Sequence, residues 1–94
     1  MSIFKVTSII DGDTFEVTPK WKWNDETGVR IRPTGYDATE LQAQGGQSAK
    51  EKLSRLILDK DVDLKKAYKV DRGRLICDVY FQGKGLADYF PEYQ

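Results

Sequence analysis

The amino-acid sequence predicts a mainly β (α+β) domain, a five-stranded Greek-key barrel with one helix between strands three and four and a short C-terminal helix. Two features support this prediction: five segments have the apolar–polar alternation of strands, and a single longer segment has helical spacing. The chain has 94 residues, of which 39% are hydrophobic, enough for one compact core and too few for two. We therefore expect residues 1–94 to form a single domain.

The first three strands are predicted from alternation and from β-branched residues. Residues 4–10 and 14–18 alternate on either side of an Asp-Gly-Asp turn at 11–13, which is typical of a tight corner. A third strand is expected over residues 29–36. Pro33 interrupts it and must face a gap in the pairing or a bulge, because proline has no N–H to donate.

The second half of the chain changes period twice. Residues 47–58 are predicted to be helical, and residues 62–68 and 75–81 return to the strand pattern. The apolar stripe of the helix comprises Ala49, Leu53, Leu56 and Ile57. A short second helix begins near Leu86 and is stopped by Pro91. The order β-β-β-α-β-β-α is that of a small barrel of the oligonucleotide/oligosaccharide-binding (OB) type.

The composition excludes several kinds of active site. The chain has no histidine, so Ser-His-Asp triads and histidine-ligated metals are excluded. Cys77 is the only cysteine, and we expect it to fill the core of the fifth strand. Catalytic groups must then be carboxylates, hydroxyls, Lys or Arg, or a metal held by oxygen.

Charge and hydropathy limit the possible partners. Fifteen basic residues balance 15 acidic ones, which argues against a general nucleic-acid coat but allows a local basic site. No apolar run approaches the ~18 residues of a membrane helix. The N-terminus lacks the pattern of a signal peptide. From the sequence as it stands, we expect no membrane contact and a cytoplasmic location.

Charged residues interrupt the pattern at four places, each of which alone is typical of a solvated turn or strand face. These places are Asp11-Gly12-Asp13-Thr14, Arg30 and Arg32, Asp37-Ala38-Thr39-Glu40, and Asp71-Arg72-Gly73-Arg74. In order they read Asp-Gly-Asp-Thr, then Arg-x-x-Gly-x-Asp-x-x-Glu, then a helix containing Ala-Lys, then Asp-x-Gly-Arg. This arrangement resembles the staphylococcal nuclease (thermonuclease) family from about Phe4 to Tyr89.

The resemblance implies a metal-dependent nuclease. Members of this family are OB-fold endonucleases that hydrolyse phosphodiester bonds in DNA and RNA with Ca²⁺ and leave 3′-phosphates. The expected partners are single-stranded or frayed DNA and RNA. By motif position, the resemblance assigns the Ca²⁺ ligands to the carboxylates of Asp13 and Asp37 and the main-chain carbonyl of Ala38. Asp11 takes the place of an outer carboxylate near the metal.

The resemblance also implies three catalytic residues. Arg32 and Arg74 match the phosphate-binding arginines, and Glu40 matches the carboxylate that activates or positions water. These residue types suit the chemistry, because guanidinium groups bind phosphate oxygens two at a time and stay charged at any useful pH. The proposed metal ligands are hard oxygen donors, which suit Ca²⁺ or Mg²⁺.

Departures from the family pattern favour an alternative function. Thr39 stands where the family usually has proline, and the turn before Arg74 is one residue shorter and lacks its aromatic residue. The chain also ends at Gln94, before the third helix of the best-known member. The alternative is a catalytically weak or inactive OB module that binds nucleic acid or protein. A third interpretation is that the chain is a piece of a longer protein whose other parts supply substrate contacts.

The Lys20-Trp21-Lys22-Trp23 segment has two interpretations. Strand alternation places both Trp side chains on one face and both Lys side chains on the other. The pair of Trp residues could stack on bases while the lysines contact phosphates, as in single-strand binders. Alternatively, both Trp side chains pack beneath an extended hairpin.

Overall fold

A computed structural model describes residues 3–38 and 46–94. Strands make up most of this part of the chain, with a 12-residue α-helix between the third and fourth strands. The elements are β1 (Ile3–Asp11), β2 (Thr14–Trp23), β3 (Glu26–Pro33), α1 (Gly46–Ile57), β4 (Asp61–Asp71), β5 (Arg74–Phe81) and β6 (Lys84–Gly85). Two short 3-10 helices follow, at Leu86–Tyr89 and Pro91–Tyr93.

The sheet closes into an OB-like barrel, which confirms the predicted fold class. Its strand order is β3-β2-β1-β4-β5-β6, and a parallel pairing between β3 and β5 closes the barrel. The other neighbouring strands pair antiparallel. Because β6 has only two residues, five strands form the barrel wall.

The third strand has the predicted length of eight residues but begins and ends three residues earlier, at Glu26 and Pro33. Its ladder with β2 extends only to the pair Phe15↔Ile31, and the Thr34 N–H donates to the Cys77 carbonyl at 3.0 Å. Amide directions alternate along a strand, so the Pro33 nitrogen points away from β5 to the side where pairing has ended. The chain then turns at Gly35, whose φ of +96° suits glycine.

The expected short C-terminal helix consists of the two 3-10 helices, Leu86–Tyr89 and Pro91–Tyr93. Their spacing is seen in the bond from the Phe90 N–H to the Ala87 carbonyl, at 2.9 Å. Pro91 has no N–H, so the first turn cannot propagate into an α-helix. No helix in the described residues is long and apolar enough to cross a bilayer.

The barrel core is continuous with the buried face of α1. The helix turns its apolar stripe inward, where Ala49, Leu53 and Ile57 are at most 1% exposed. Burying each large aliphatic side chain contributes about 1.5–3 kcal/mol. Cys77 is fully buried in β5, and burial raises the pKa of its thiol to about 12. The thiol is therefore an unreactive core group, as predicted.

The Lys-Trp-Lys-Trp segment lies in β2, and Trp21 belongs to the core. Its ring is 1% exposed, and its Nε1 donates to the Arg30 carbonyl at 2.9 Å. Trp23 is half-buried against the core, whereas Lys20 and Lys22 are exposed. The alternation was predicted correctly, and of the two interpretations the packing one describes Trp21.

Gly12 occupies a place where the corner between β1 and β2 meets two other parts of the chain. A Cβ on Gly12 would lie 2.6 Å from the Ala49 Cβ and 2.7 Å from the Ala38 carbonyl oxygen. We expect Gly12→Ala to lower the free energy of unfolding by about 1–3 kcal/mol, because both neighbours are buried. Urea denaturation measures this loss.

Gly85→Ala is the matched control, since a Cβ there would meet nothing closer than Asp88 Oδ2 at 3.6 Å. It should change the free energy of unfolding by less than about 0.5 kcal/mol. Equal losses in the two variants would contradict the close packing at Gly12.

Candidate active site

The corner between β1 and β2 holds two of the predicted metal-site carboxylates. The Asp13 N–H donates to Asp11 Oδ1 at 3.0 Å, a local bond that Asp commonly makes in turns. This bond fixes the backbone of the corner and turns the Asp13 side chain inward. The Asp13 side chain is fully buried.

The Asp13 carboxylate joins the corner to β3 and to the segment that follows it. Its Oδ2 accepts a hydrogen bond from the Ala38 N–H at 2.8 Å and lies 3.4 Å from Arg32 Nη2. Its Oδ1 is buried without a hydrogen-bond partner within the described ranges. Buried carboxylate oxygens are normally paired, so this oxygen provides a place for a proton or a cation.

The electrostatic surroundings of Asp13 point the same way. Burial raises the pKa of Asp13 from 3.8 to about 6, opposed by the Ala38 N–H bond and by the charge of Arg32. The neighbouring Asp11 carboxyl raises the pKa further. Two carboxyl groups can hydrogen-bond to each other only when one is protonated. Asp13 is therefore costly to ionise unless a further cation compensates its charge.

Arg32, the first predicted phosphate-binding arginine, supplies the counter-charge to these carboxylates. Its Nη2 lies 3.4 Å from Asp13 Oδ2 and 3.7 Å from Asp37 Oδ1. Its Nη1 donates to the main-chain carbonyls of Pro33, at 2.6 Å, and Tyr36, at 3.0 Å. The structure thus brings Arg32, Asp13 and Asp37 together, with the guanidinium between the two carboxylates and the main chain.

Arg74, the second predicted phosphate-binding arginine, reaches the same corner from the start of β5. Its Nη1 donates to Thr14 Oγ1 at 3.4 Å, next to Asp13 in sequence, and its Nη2 lies 3.6 Å from Asp71 Oδ2. The preceding turn is tight, with positive φ at Arg72 and Gly73. The shortened turn still brings Arg74 to the corner.

Of the remaining predicted residues, Asp37 and Ala38 lie within the described part of the chain and Glu40 does not. Glu40, the predicted water-activating carboxylate, lies outside the described residues, as does Thr39. Asp37 is described; its side chain is 73% exposed and its N–H donates to the Tyr93 carbonyl at 3.1 Å. The Ala38 carbonyl faces the corner at Gly12.

The residues present fit a hard cation in their chemistry. Asp13 offers an unpaired carboxylate oxygen, Asp37 shares Arg32 with Asp13, and the Ala38 carbonyl faces the same corner at Gly12. Within residues 3–38 and 46–94, no three acidic or cysteine side chains are grouped closely enough to hold a metal by themselves. A cation would therefore depend on the main chain, water and substrate for much of its coordination.

A brace that the sequence did not predict holds the segment after β3 in place. The Tyr36 ring is buried and stacks on Phe90, with centroids 4.6 Å apart and planes 6° from parallel. The Tyr36 hydroxyl donates to the Gly12 carbonyl at 2.9 Å. Burial raises the pKa of Tyr36, so this hydroxyl remains a donor. Tyr36 thus ties the Asp37 segment to the Asp13 corner.

The C-terminal 3-10 helices complete this brace. Lys52 Nζ lies 4.6 Å above the Phe90 ring and 3.0 Å from Glu92 Oε2, which joins α1 to the C-terminal turns. Gly35 packs so closely on Ala87 that a Cβ would come within 2.7 Å of the alanine Cβ. The one sign of this brace in the sequence was the aromatic residue Phe90, whose partner Tyr36 is 54 positions away.

No family model matches the chain, and no curated protein sequence matches it. Membership of the staphylococcal nuclease family therefore stays a prediction based on the motifs.

The buried Asp13 should make the stability of the protein depend on pH when a chelator removes divalent cations. With its pKa raised from 3.8 to about 6, folded Asp13 keeps a proton that the unfolded chain has lost. The contribution of Asp13 to the free energy of unfolding therefore falls as pH rises from about 4 to 6, by roughly 2–3 kcal/mol in all. Asp13→Asn should remove this loss, because the amide accepts from Ala38 and donates to Asp11.

Urea denaturation in EDTA at pH 4 and pH 7.5 measures the effect. Asp13→Asn should be more stable than the wild type at pH 7.5, by up to about 2–3 kcal/mol, and close to it at pH 4. Asp61→Asn, at an exposed aspartate outside the site, is the control and should show no such difference. A stability difference that is the same at both pH values would contradict the burial of an ionised Asp13.

The Tyr36 brace leads to a separate prediction. Tyr36→Phe keeps the stacking on Phe90 but leaves the buried Gly12 carbonyl without its donor, which should cost about 1–3 kcal/mol in the free energy of unfolding. The matched change Tyr80→Phe, at a tyrosine that is 39% exposed, should cost less than about 0.5 kcal/mol. Equal costs by thermal or chemical denaturation would mean that the Tyr36 hydroxyl does not brace the corner.

Proposed function

We propose that the protein is a calcium-dependent nuclease of the staphylococcal nuclease family. It would hydrolyse phosphodiester bonds in single-stranded or frayed DNA and RNA and leave 3′-phosphates. One observation carries the proposal: side chains from three distant parts of the chain meet at one corner. Arg32 lies 3.4 Å from Asp13 and 3.7 Å from Asp37, and Arg74 bonds to Thr14 beside them.

The arginines would supply most of the catalytic effect. Phosphodiester hydrolysis needs about 8–23 kcal/mol of barrier lowering, and a general base contributes only about 3–5 kcal/mol of it. Charge that develops on the phosphate oxygens must therefore be stabilised by fixed cations. Arg32 and Arg74 would bind the phosphate from the side of β3 and β5, with bidentate guanidinium contacts.

The carboxylates would make activity depend on Ca²⁺. Asp13, Asp37 and the Ala38 carbonyl would hold the ion, and Asp11 would orient Asp13 from outside. Ca²⁺ when bound supplies Lewis-acid polarisation of the phosphate. Arg32 serves as the counter-charge of Asp13 and Asp37, so it can turn to a phosphate only when another cation takes over that role.

Glu40 would be the carboxylate that activates water. This role comes from the motif, in which Glu40 stands three residues after Asp37. A carboxylate can take the proton of the attacking water and thereby make it a better nucleophile. Loss of Glu40 should lower the rate without removing the phosphate contacts of the arginines.

Degradation of heat-denatured DNA in 10 mM Ca²⁺ tests the proposal. The wild type should cleave, and both Arg32→Ala and Glu40→Gln should lose about 10²–10³-fold in kcat. Arg55→Ala removes an arginine that is 79% exposed on α1 and should cleave like the wild type. Products should carry 3′-phosphates. Activity that survives equally in both site variants, or in EDTA, would mean that another enzyme cleaves the DNA.

Calcium should also stabilise the folded protein, which gives a measurement independent of activity. If Kd is near millimolar, 10 mM Ca²⁺ adds about 1.4 kcal/mol to the free energy of unfolding. Asp13→Asn should lose this gain, because it removes the buried carboxylate. A gain of equal size in Asp13→Asn would place the ion elsewhere.

A second function is favoured by the way Arg32 is held. Its guanidinium already contacts two carboxylates and two main-chain carbonyls, an arrangement that suits a structural role. In this case the protein is an inactive OB module that binds nucleic acid or a protein partner. Binding of a single-stranded oligonucleotide without cleavage at millimolar Ca²⁺ would select this alternative.

A further inference from the structure

A row of charged side chains crosses the outer face of the barrel beside the candidate site. Arg30 in β3 is the register partner of Glu16 in β2 and of Arg74 in β5. Each residue of this row has a fully buried neighbour on its own strand, namely Phe15 on β2, Ile31 on β3 and Leu75 on β5. Because side chains alternate along a strand, Glu16, Arg30 and Arg74 point outward. Arg30 and Arg74 are thus lateral neighbours on the same face.

Two arginines side by side on adjacent strands need an anion near them. Like charges directly across a strand pair are destabilising. Each arginine has an acidic partner on its far side: Arg30 Nε lies 3.2 Å from Glu16 Oε2, and Arg74 Nη2 lies 3.6 Å from Asp71 Oδ2. The Arg30 side chain is 51% exposed, and ion pairs this exposed contribute little. A stronger anion can therefore displace Glu16.

The main chain at Arg30 is held firmly, although the side chain is exposed. Its carbonyl accepts a hydrogen bond from Nε1 of Trp21, which is buried, at 2.9 Å. Pairing with β2 and β5 fixes the strand on both sides. The guanidinium accordingly extends from a rigid platform, which lowers the entropic cost of using it as a binding group.

We propose that Arg30, together with Arg74, forms a second phosphate subsite that binds the phosphate next to the one cleaved. This inference builds on the proposed function, because it takes Arg32 and Arg74 as the contacts to the scissile phosphate. Arg30 and Arg32 are two residues apart on β3 and about 6.6 Å apart along it. Successive phosphates of an extended single strand can match this separation. The preferred substrate is then a polynucleotide strand.

Glu16 limits the affinity of this subsite. Its carboxylate forms an ion pair with Arg30 and would repel an incoming phosphate. Removing the Glu16 charge should strengthen binding, whereas removing the Arg30 charge should weaken it. Opposite effects from two neighbouring substitutions are a signature that a merely structural ion pair would not give.

Binding of a fluorescein-labelled 12-nucleotide oligothymidylate, followed by anisotropy over a range of salt concentrations, tests the subsite. All variants carry Glu40→Gln and are measured in 10 mM Ca²⁺, with the integrity of the DNA checked on a gel. Arg30→Gln should bind about five- to tenfold more weakly. It should also make the negative slope of log K against log salt less steep by about 0.7. The loss should be larger for the 12-mer than for a labelled dinucleotide. Glu16→Gln should bind more tightly.

Arg55→Gln is the matched control, since Arg55 is also exposed and also pairs with an acid, Glu51 at 3.6 Å. If Arg30→Gln and Arg55→Gln weaken binding equally, or neither does, the subsite is wrong, and cleavage by the wild type would leave the proposed function intact. If Arg30→Gln alone lowers the slope while the wild type does not cleave, Arg30 contacts a phosphate of bound nucleic acid, but the nuclease proposal falls and with it the placement of this phosphate next to a cleaved one. If the protein that carries only Glu40→Gln does not bind the oligothymidylate, the subsite is wrong.

Discussion

The ionisation of one buried carboxylate, Asp13, is the constraint on which the site depends. A buried charge is tolerated only where hydrogen bonds and opposite charges replace water. Asp13 obtains an N–H from Ala38 and a guanidinium from Arg32, and one of its oxygens is still unpaired within the described residues. Each of these contacts comes from a different part of the chain. The carboxylate therefore holds the site together and is at the same time its least satisfied group.

The rest of the molecule serves to keep those contacts in register. Tyr36 bonds to the Gly12 carbonyl and stacks on Phe90, so the segment after β3 is fixed both to the corner and to the C-terminal turns. Lys52 adds a link from α1 to the same turns. Local bonds alone could not hold an exposed segment such as Asp37 beside a buried carboxylate. Packing over long sequence distances supplies the required rigidity.

Barrel closure also explains why arginines gather on one face. The parallel pairing of β3 with β5 makes Arg30 and Arg74 neighbours, although they are 44 positions apart in sequence. Alternation then sends both side chains outward while Ile31 and Leu75 fill the core. The pairing that completes the hydrophobic core thus creates the cationic surface beside the site. The same pair of strands therefore completes the core and carries the proposed phosphate subsite.

The sequence by itself determined the strand and helix pattern, the burial of Cys77 and the motif positions that the structure brings to one corner. Periodicity determines the elements and the burial of Cys77 because it reports which side of an element faces the core, whereas the motif positions come from the resemblance to the staphylococcal nuclease family. Tertiary structure alone decided the partners of Arg32, the neighbourhood of Arg30 and Arg74, and the brace from Phe90 to Tyr36. Periodicity does not say which element lies opposite, and these contacts join residues that only barrel closure and chain packing bring together.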